Sequence, residues 1–161
     1  MEPVFKMKKR VLTVLIVATI AFAWIHSIMP GEVSSGESGF VYEILAPIFK
    51  IILPDHLVTE LLIRKMAHFT EYAVLGVEVA FYIKTVYEIN LRNYVRVIYF
   101  GATAAFIDET IQIFSGRGPA IADVWIDIAG LVTGSAAVCL IIVLAGKCRR
   151  RNENRPEDPR K

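Results

Sequence analysis

The sequence is short of two features, net charge and cysteine, and each shortage excludes a class of protein. Its 161 residues carry a formal net charge of only +2, which is too small to indicate a nucleic-acid partner. Cys139 lies in an apolar stretch and Cys148 in a basic tail, and this spacing fits neither a disulfide framework nor a metal pair. We therefore expect no nucleic acid among the partners, and we expect the cysteines to serve only in packing or as a tolerated free thiol.

Apolar residues, by contrast, are abundant. They make up 55% of the sequence, and the mean hydropathy is +0.49, well above the value of a soluble domain. Several apolar segments approach the length of about 20 residues that a bilayer core requires. The composition therefore predicts a small polytopic membrane protein of the all-α class.

Four segments are predicted to cross the membrane, near residues 11–29, 66–83, 95–114 and 119–145. The first could instead be a cleaved signal peptide, because Ala21-Phe22-Ala23 resembles a small-residue cleavage site. We favour a transmembrane helix, since the apolar run continues past this point to Trp24 and Ile25 and further spans follow. The sequence thus predicts four transmembrane helices.

The segment between the first two spans is not expected to cross. Residues 30–39 are rich in turn formers and break the pattern. Residues 40–57 are apolar, but Pro47 and Pro54 interrupt them, and they are too short to span. We predict a short interfacial or re-entrant helix after the first span.

Basic residues predict the orientation. They form three clusters, before the first span, between the second and third, and after the fourth: Lys6, Lys8, Lys9, Arg10; Lys84, Arg92, Arg96; Lys147, Arg149, Arg150, Arg151. Cytoplasmic loops are enriched in Lys and Arg, so both termini are predicted to lie in the cytoplasm. Residues 1–146 would form the transmembrane domain and residues 147–161 a charged cytoplasmic tail, which we expect to be disordered.

Ionisable side chains collect at the outer ends of these predicted spans. Residues three or four positions apart share a helix face, and this spacing groups the candidates within each span. The groups are His68, Glu71 and Tyr72 in the second span; Asp108 and Gln112, beside Glu109, in the third; and Asp123 and Asp127 in the fourth. Lys65 precedes the second span and Arg117 lies in the outer loop.

Small residues occupy the same faces. Gly101 and Ala105 continue the stripe of Asp108, and Gly130 and Gly134 continue that of Asp127. The last two form a G-x-x-x-G pattern, which lets helix backbones approach closely. We therefore expect the second, third and fourth spans to pack around a shared polar interior.

A polar interior of this kind is costly, so it requires an explanation. A charged side chain at the centre of a span costs on the order of 3 kcal/mol. One reading is structural, in which His68 and Arg117 neutralise carboxylates as ion pairs that set the helix register. The carboxylates outnumber these cations, which favours a site that binds or transforms a ligand. Glu78 lies deeper, where it would form a hydrogen bond in the bundle or extend the site as a proton acceptor.

Two stretches of the sequence resemble a known protein family. They are "RKMAHFTEY" at residues 64–72 and "DETIQIFSGRGPAIADVWIDIAGLVTG" at residues 108–134, and together they are similar to the VanZ-like family, named for a teicoplanin-resistance protein. The resemblance implies a multi-pass bacterial cell-membrane protein, linked in some members to lowered sensitivity to teicoplanin-type glycopeptides. Asp127 is a departure, because the family pattern leads us to expect Asn more often at that position.

Two main functions remain open. In the first, the site binds or modifies a membrane lipid or lipid-linked envelope molecule, with cations such as Arg64 holding phosphate and carboxylates meeting hydroxyl or amine groups. The ligand-binding residues would then be Lys65, Tyr72, Gln112, Arg117 and Asp127. A lipid-borne ligand fits teicoplanin, which carries an acyl chain, better than vancomycin.

In the second, the protein is an intramembrane hydrolase or transferase acting on a lipid phosphate or glycolipid. The catalytic candidates are His68, Glu71, Asp108, Glu109 and Asp123, which have the ligand types for a divalent cation such as Mg²⁺ or Mn²⁺. No G-x-S-x-G or H-E-x-x-H motif is present in the sequence. A transporter using a carboxylate relay is the third reading; it would require an oligomer, and the one-sided cluster argues against it.

Overall fold

The computed structural model describes residues 2–28, 31–88, 90–115 and 121–153. These residues form five α-helices: α1 (Glu2–Ile28), α2 (Gly31–Ile52), α3 (Glu60–Val86), α4 (Leu91–Phe114) and α5 (Ile121–Glu153), with a 3-10 turn at Asp55–Leu57. No strand occurs in the described ranges, which confirms the all-α class.

Three of the helices are long and apolar enough to cross a membrane. They cover Val4–Ile28 in α1, Leu91–Phe114 in α4 and Ile121–Cys148 in α5, and they correspond to the first, third and fourth predicted spans. The second predicted span lies within α3, whose 27 residues extend about 40 Å at 1.5 Å per residue. Helix α3 is not among the three helices that are apolar enough to cross, because charged side chains lower its hydropathy. That α3 crosses the membrane therefore stays a prediction.

The helix after the first span is longer than predicted. The expected turn at residues 30–39 is wrong from Gly31 onward, because α2 begins there and continues through Pro47 to Ile52. Glycine within a helix costs only about 1 kcal/mol relative to alanine, so a turn-like composition does not prevent a helix. Ile48 and Ile51 on α2 are exposed; an interfacial or re-entrant position would place them against lipid.

Four of the helices form an up-and-down bundle. Helices α3 and α5 run parallel, since Lys65 and His68 meet Asp123 and Asp127 in the same order along the chain. Helices α1 and α4 also run parallel, since Trp24 and Ser27 contact Ala104 and Gln112 in the same order. Side-chain caps fix two of the starts: Thr59 accepts a hydrogen bond from Leu62 N, and Asn90 accepts one from Asn93 N. We call the end where α1 and α4 end and α3 and α5 begin the site end.

Glycines bring α3 and α5 into close contact. A Cβ atom added at Gly130 or Gly134 would collide with the α3 backbone carbonyls of Phe69 and Ala73. A Cβ at Gly76 would in turn collide with the α5 backbone at Leu131. This confirms the prediction that the G-x-x-x-G pattern allows close packing, and it holds the polar faces of the two helices side by side.

The distribution of polar and apolar residues is the reverse of that in a soluble helical bundle. The interior at the site end contains buried carboxylates, while large apolar side chains such as Tyr99, Phe106 and Trp125 are exposed. A second interior region, around Leu75, Val97 and Leu131, is apolar. An exposed apolar surface of this extent fits contact with lipid tails.

The C-terminal helix continues past the predicted domain boundary. Helix α5 includes residues 147–153 of the segment expected to form a tail and ends at Glu153. Residues 154–161, where disorder was also predicted, lie outside the described residues.

Candidate functional site

Six buried polar side chains meet at the site end. Three helices contribute them, and we call them the polar cluster: His68 from α3; Asp108, Glu109 and Gln112 from α4; Asp123 and Asp127 from α5. Asp108 and Asp127 are both 0% exposed. All six are candidates from the sequence, and the structure brings them together in one place.

Helix α3 contributes one face, as its spacing predicts. His68 and Tyr72 are buried one turn apart, and Glu71 beside them is half-buried. Tyr72 is packed with Leu75 and Leu131 in the apolar interior. Of the candidates on α3, His68 therefore belongs to the polar cluster, Tyr72 lies beneath it and Glu71 lies at its edge.

Helix α4 contributes three residues, and its contacts with the neighbouring helices explain why all three are buried. Asp108 follows the buried stripe of Gly101 and Ala105 predicted from the spacing. Gln112 Nε2 donates to Ser27 Oγ of α1 at 3.3 Å. Because α4 packs against α1, α3 and α5, a wide sector of it is covered, and Glu109 is buried as well as Asp108.

Helix α5 contributes two carboxylates, one helical turn apart, that differ in their partners. Asp123 Oδ1 accepts a hydrogen bond from Lys65 Nζ at 2.6 Å. Asp127 Oδ1 lies 3.7 Å from His68 Nδ1, which is longer than a hydrogen bond. Lys65 is thus committed to the carboxylate nearer the helix start, and the deeper one is left to His68.

Three members of the polar cluster lie close enough together to be candidate metal ligands. His68, Asp108 and Asp127 each place one ligand atom within 4.8 Å of the other two, and all three residues are buried. One imidazole nitrogen and two carboxylate oxygens are ligand types that divalent cations accept. Glu71, Glu109 and Asp123, which the sequence also proposed for a cation, are outside this group.

Ser27 of α1 also lies at the site end. It is 1% exposed, and besides the contact with Gln112, its carbonyl accepts a hydrogen bond from Ser115 Oγ at 2.9 Å. The signal available in the sequence was a hydroxyl in the last turn of the first predicted span, next to His26. His26, next to it, stacks on Phe22 with ring centroids 6.4 Å apart.

Two other candidates have different outcomes. Arg117 lies outside the described residues, so its proposed contact with phosphate stays a prediction. Glu78 is away from the polar cluster, deeper in the bundle, where its Oε1 accepts a hydrogen bond from Thr19 Oγ1 at 3.0 Å. Of the two roles considered for Glu78, the hydrogen bond within the bundle is the one observed.

An apolar groove adjoins the polar cluster. It encloses about 720 Å³ between α1, α2 and α3, and most of its walls are apolar side chains. The polar residues on the walls are Thr19, Thr70 and Glu71. Glu71 lies one turn from His68 on α3, so the groove and the polar cluster share an edge.

The comparisons with known proteins agree with the motifs. The model of the VanZ/LLP1 family matches residues 12–143, a stretch that includes every candidate site residue and all four predicted spans except their outermost ends. No curated protein and no solved structure matches the chain. Since the matched region is most of the sequence, the chain belongs to the VanZ/LLP1 family.

Proposed function

We propose that this protein binds or modifies a lipid-linked component of the bacterial cell envelope, and that it thereby lowers sensitivity to teicoplanin-type glycopeptides. The observation that carries the proposal is the shared edge between the apolar groove and the polar cluster, at Glu71. A ligand that is apolar at one end and polar at the other would occupy both.

The groove supports an acyl chain as the apolar part of the ligand. Its volume of about 720 Å³ lies within the range of roughly 300–1,000 Å³ that is usual for small-molecule sites. It opens between helices whose outer surfaces are apolar, so a lipid tail could enter from the membrane. A ligand without such a tail would make no contact with these apolar walls.

The polar cluster supports a headgroup with hydroxyl, amine and phosphate groups. Carboxylates such as Asp123 accept hydrogen bonds from hydroxyls and amines, and Lys65 has three donors, of which one contacts Asp123. Lys65 is also partly exposed at the site end. It therefore has both the charge and the access that contact with a phosphate requires.

The outer leaflet is the proposed location of the site. The three clusters of Lys and Arg lie in the first part of α1, at the end of α3 and the start of α4, and in the last part of α5, which is the end of the bundle opposite the site. By the rule that cytoplasmic loops are basic, the site end would face outward, where glycopeptides act.

Drug susceptibility tests this function. Cells expressing the wild type should resist teicoplanin more than vancomycin, and His68→Ala, Glu109→Gln and Arg117→Ala should lose that difference at equal membrane levels. Wild-type cells with unchanged susceptibility would contradict the proposed protection, and fully active variants would contradict a role for the cluster.

The groove needs a separate, matched pair of variants. Ala67 lines the groove, whereas Ala137 is an exposed alanine on α5 outside it. Ala67→Trp should fill the groove and remove the teicoplanin-selective effect, while Ala137→Trp adds the same bulk without touching the groove. Equal activity of the two variants would contradict an acyl chain in the groove.

A second candidate is an intramembrane hydrolase or transferase acting on a lipid phosphate or glycolipid. The observation that favours it is the convergence of a histidine and several carboxylates from three helices, a set that can supply general acid and base groups. Mass spectrometry of membrane lipids separates the two candidates. An enzyme would leave a product that accumulates with time and disappears in His68→Ala, whereas a binding protein would change no lipid mass.

A further inference from the structure

We infer that His68, Asp108 and Asp127 form a binding site for one divalent transition-metal ion, of the Mn²⁺ or Zn²⁺ class, inside the polar cluster. The three ligand atoms lie within 4.8 Å of one another and come from three different helices. The inference concerns metal binding by the protein itself, so it can be tested without knowing the lipid ligand.

One of the separations can be compared with that in a formed metal site. Ligands at about 2.1 Å from an ion lie about 3.0–3.4 Å apart at octahedral or tetrahedral angles. His68 Nδ1 and Asp127 Oδ1 are 3.7 Å apart, slightly more than this spacing. Close packing at Gly130, one turn after Asp127, holds α5 against α3 and keeps these two side chains facing each other.

Asp127 is a second and independent observation. It is fully buried, and neither of its carboxylate oxygens accepts a hydrogen bond from any residue in the described ranges. A buried carboxylate in that condition requires a cation or a proton. Its neighbour Asp123 differs, because Lys65 already supplies the compensating charge.

The donor set indicates the class of ion. Mg²⁺ prefers an all-oxygen shell and retains several waters, whereas an imidazole nitrogen with carboxylates suits Mn²⁺ or Zn²⁺. Two carboxylates cancel the charge of a divalent ion, which lowers the cost of placing it in an interior without bulk water. Three protein ligands also leave a coordination position open, which a phosphate oxygen of the lipid-linked ligand could occupy.

The charge of Asp127 can be removed without a large change in the shape of its side chain. The carboxylate supplies a negative charge that an amide lacks. Asp127→Asn therefore removes charge from the site while conserving the shape of the side chain.

The test is metal binding by the purified full-length protein in detergent. After chelation, the wild type is titrated separately with Mn²⁺, Zn²⁺ and Mg²⁺, and bound metal is measured by elemental mass spectrometry alongside the thermal midpoint. We expect one Mn²⁺ or Zn²⁺ per chain with a raised midpoint, and weaker binding of Mg²⁺. Asp127→Asn and His68→Ala should weaken binding at least about tenfold.

Asp123→Asn is the matched control, because it removes a buried carboxylate one turn away on the same helix, and it should retain the ion. A wild type that binds none of the three ions would overturn the inference, and so would equal losses in Asp123→Asn and Asp127→Asn. If Asp127→Asn does not fold, the number of metal ions bound per wild-type chain and the metal binding of Asp123→Asn still test the inference. If the protein binds metal but does not change drug susceptibility, only the proposed function is contradicted. If it changes drug susceptibility but binds no metal, only this inference is contradicted.

Discussion

Lys65 Nζ of α3 lies 2.6 Å from Asp123 Oδ1 of α5. The two helices run parallel here, so the ion pair joins the second turn of α3 to the first turn of α5, beside the polar cluster. The Lys65 side chain is 29% exposed, so water reaches the cation, while the carboxylate is buried. The pair therefore connects a structural contact between helices with a charge that a ligand can approach.

This ion pair should respond to a double-mutant cycle. Lys65→Ala leaves Asp123 buried without its cation and should destabilise the protein by about 1–2 kcal/mol, less than a fully buried pair because Lys65 is partly hydrated. The double variant Lys65→Ala/Asp123→Ala should recover part of that loss. Unfolding in detergent measures the coupling, and additive losses would contradict the interaction. If Lys65 also contacts a ligand phosphate, the double variant should regain stability but not the drug phenotype.

The glycine contacts between α3 and α5 predict a sharp difference between two alanine substitutions. Gly134→Ala places a methyl group against the Ala73 carbonyl and should cost about 1–3 kcal/mol, as overpacking does. Gly146→Ala meets nothing within 4 Å, and it should be neutral or slightly stabilising because alanine favours helix. Thermal midpoints of the two purified variants compare them directly. A Gly134→Ala protein as stable as the wild type would mean that the helices are less closely packed than described.

The hydrogen bond between α1 and α3 predicts that shape matters more than charge at Glu78. Thr19 Oγ1 donates to Glu78 Oε1, and the amide oxygen of Glu78→Gln can accept the same bond. Glu78→Gln should therefore stay within about 0.5 kcal/mol of the wild type, whereas Glu78→Ala and Thr19→Val should each lose about 1 kcal/mol. Thr13→Val is the control, since Thr13 bonds only within its own exposed helix turn. If Glu78→Gln were as harmful as Glu78→Ala, a charged role for Glu78 would follow instead.

The predicted topology can be tested with cysteine labelling. In a chain carrying Cys139→Ser and Cys148→Ser, a single cysteine is introduced at exposed His56 before α3, or at exposed Glu88 after it. If α3 crosses the membrane with the site end outward, an impermeant maleimide should label His56→Cys in intact cells and Glu88→Cys only after permeabilisation. The wild-type Cys148, retained in a Cys139→Ser chain, should behave like Glu88→Cys. Labelling of both introduced cysteines in intact cells would exclude α3 as a span, and the reversed pattern would invert the topology.

Helical spacing predicted the composition of the site better than its contacts. Three- and four-residue intervals placed His68, Asp108 and Asp127 on inward faces, because the direction of a side chain around a helix depends only on local geometry. The same reasoning could not show that Lys65 contacts Asp123 and not Asp127. That choice depends on how far α3 is shifted along its axis relative to α5. The spacing of residues within one helix carries no information on that shift.

Composition predicted secondary structure and membrane crossing less well for helices that are neither strongly apolar nor interrupted by clear helix breakers. The glycines and serines after Gly31 suggested a turn, yet α2 already begins there. The charged residues of α3 likewise obscure its status as a span, although it is one continuous helix. For α3, the packing against α1 and α5 adds stability that local propensity does not include.

The sequence by itself determined that this is a helical, membrane-type chain of the VanZ/LLP1 family, because hydropathy, helical period and motif spacing are all properties of neighbouring residues. Only the tertiary structure decided that His68, Asp108 and Asp127 converge, that Ser27 bonds to Gln112, and that a groove meets the polar cluster at Glu71. These relationships join residues far apart in the chain. They depend on how closely the helices approach, which the contacts of Gly130 and Gly134 with the α3 backbone set.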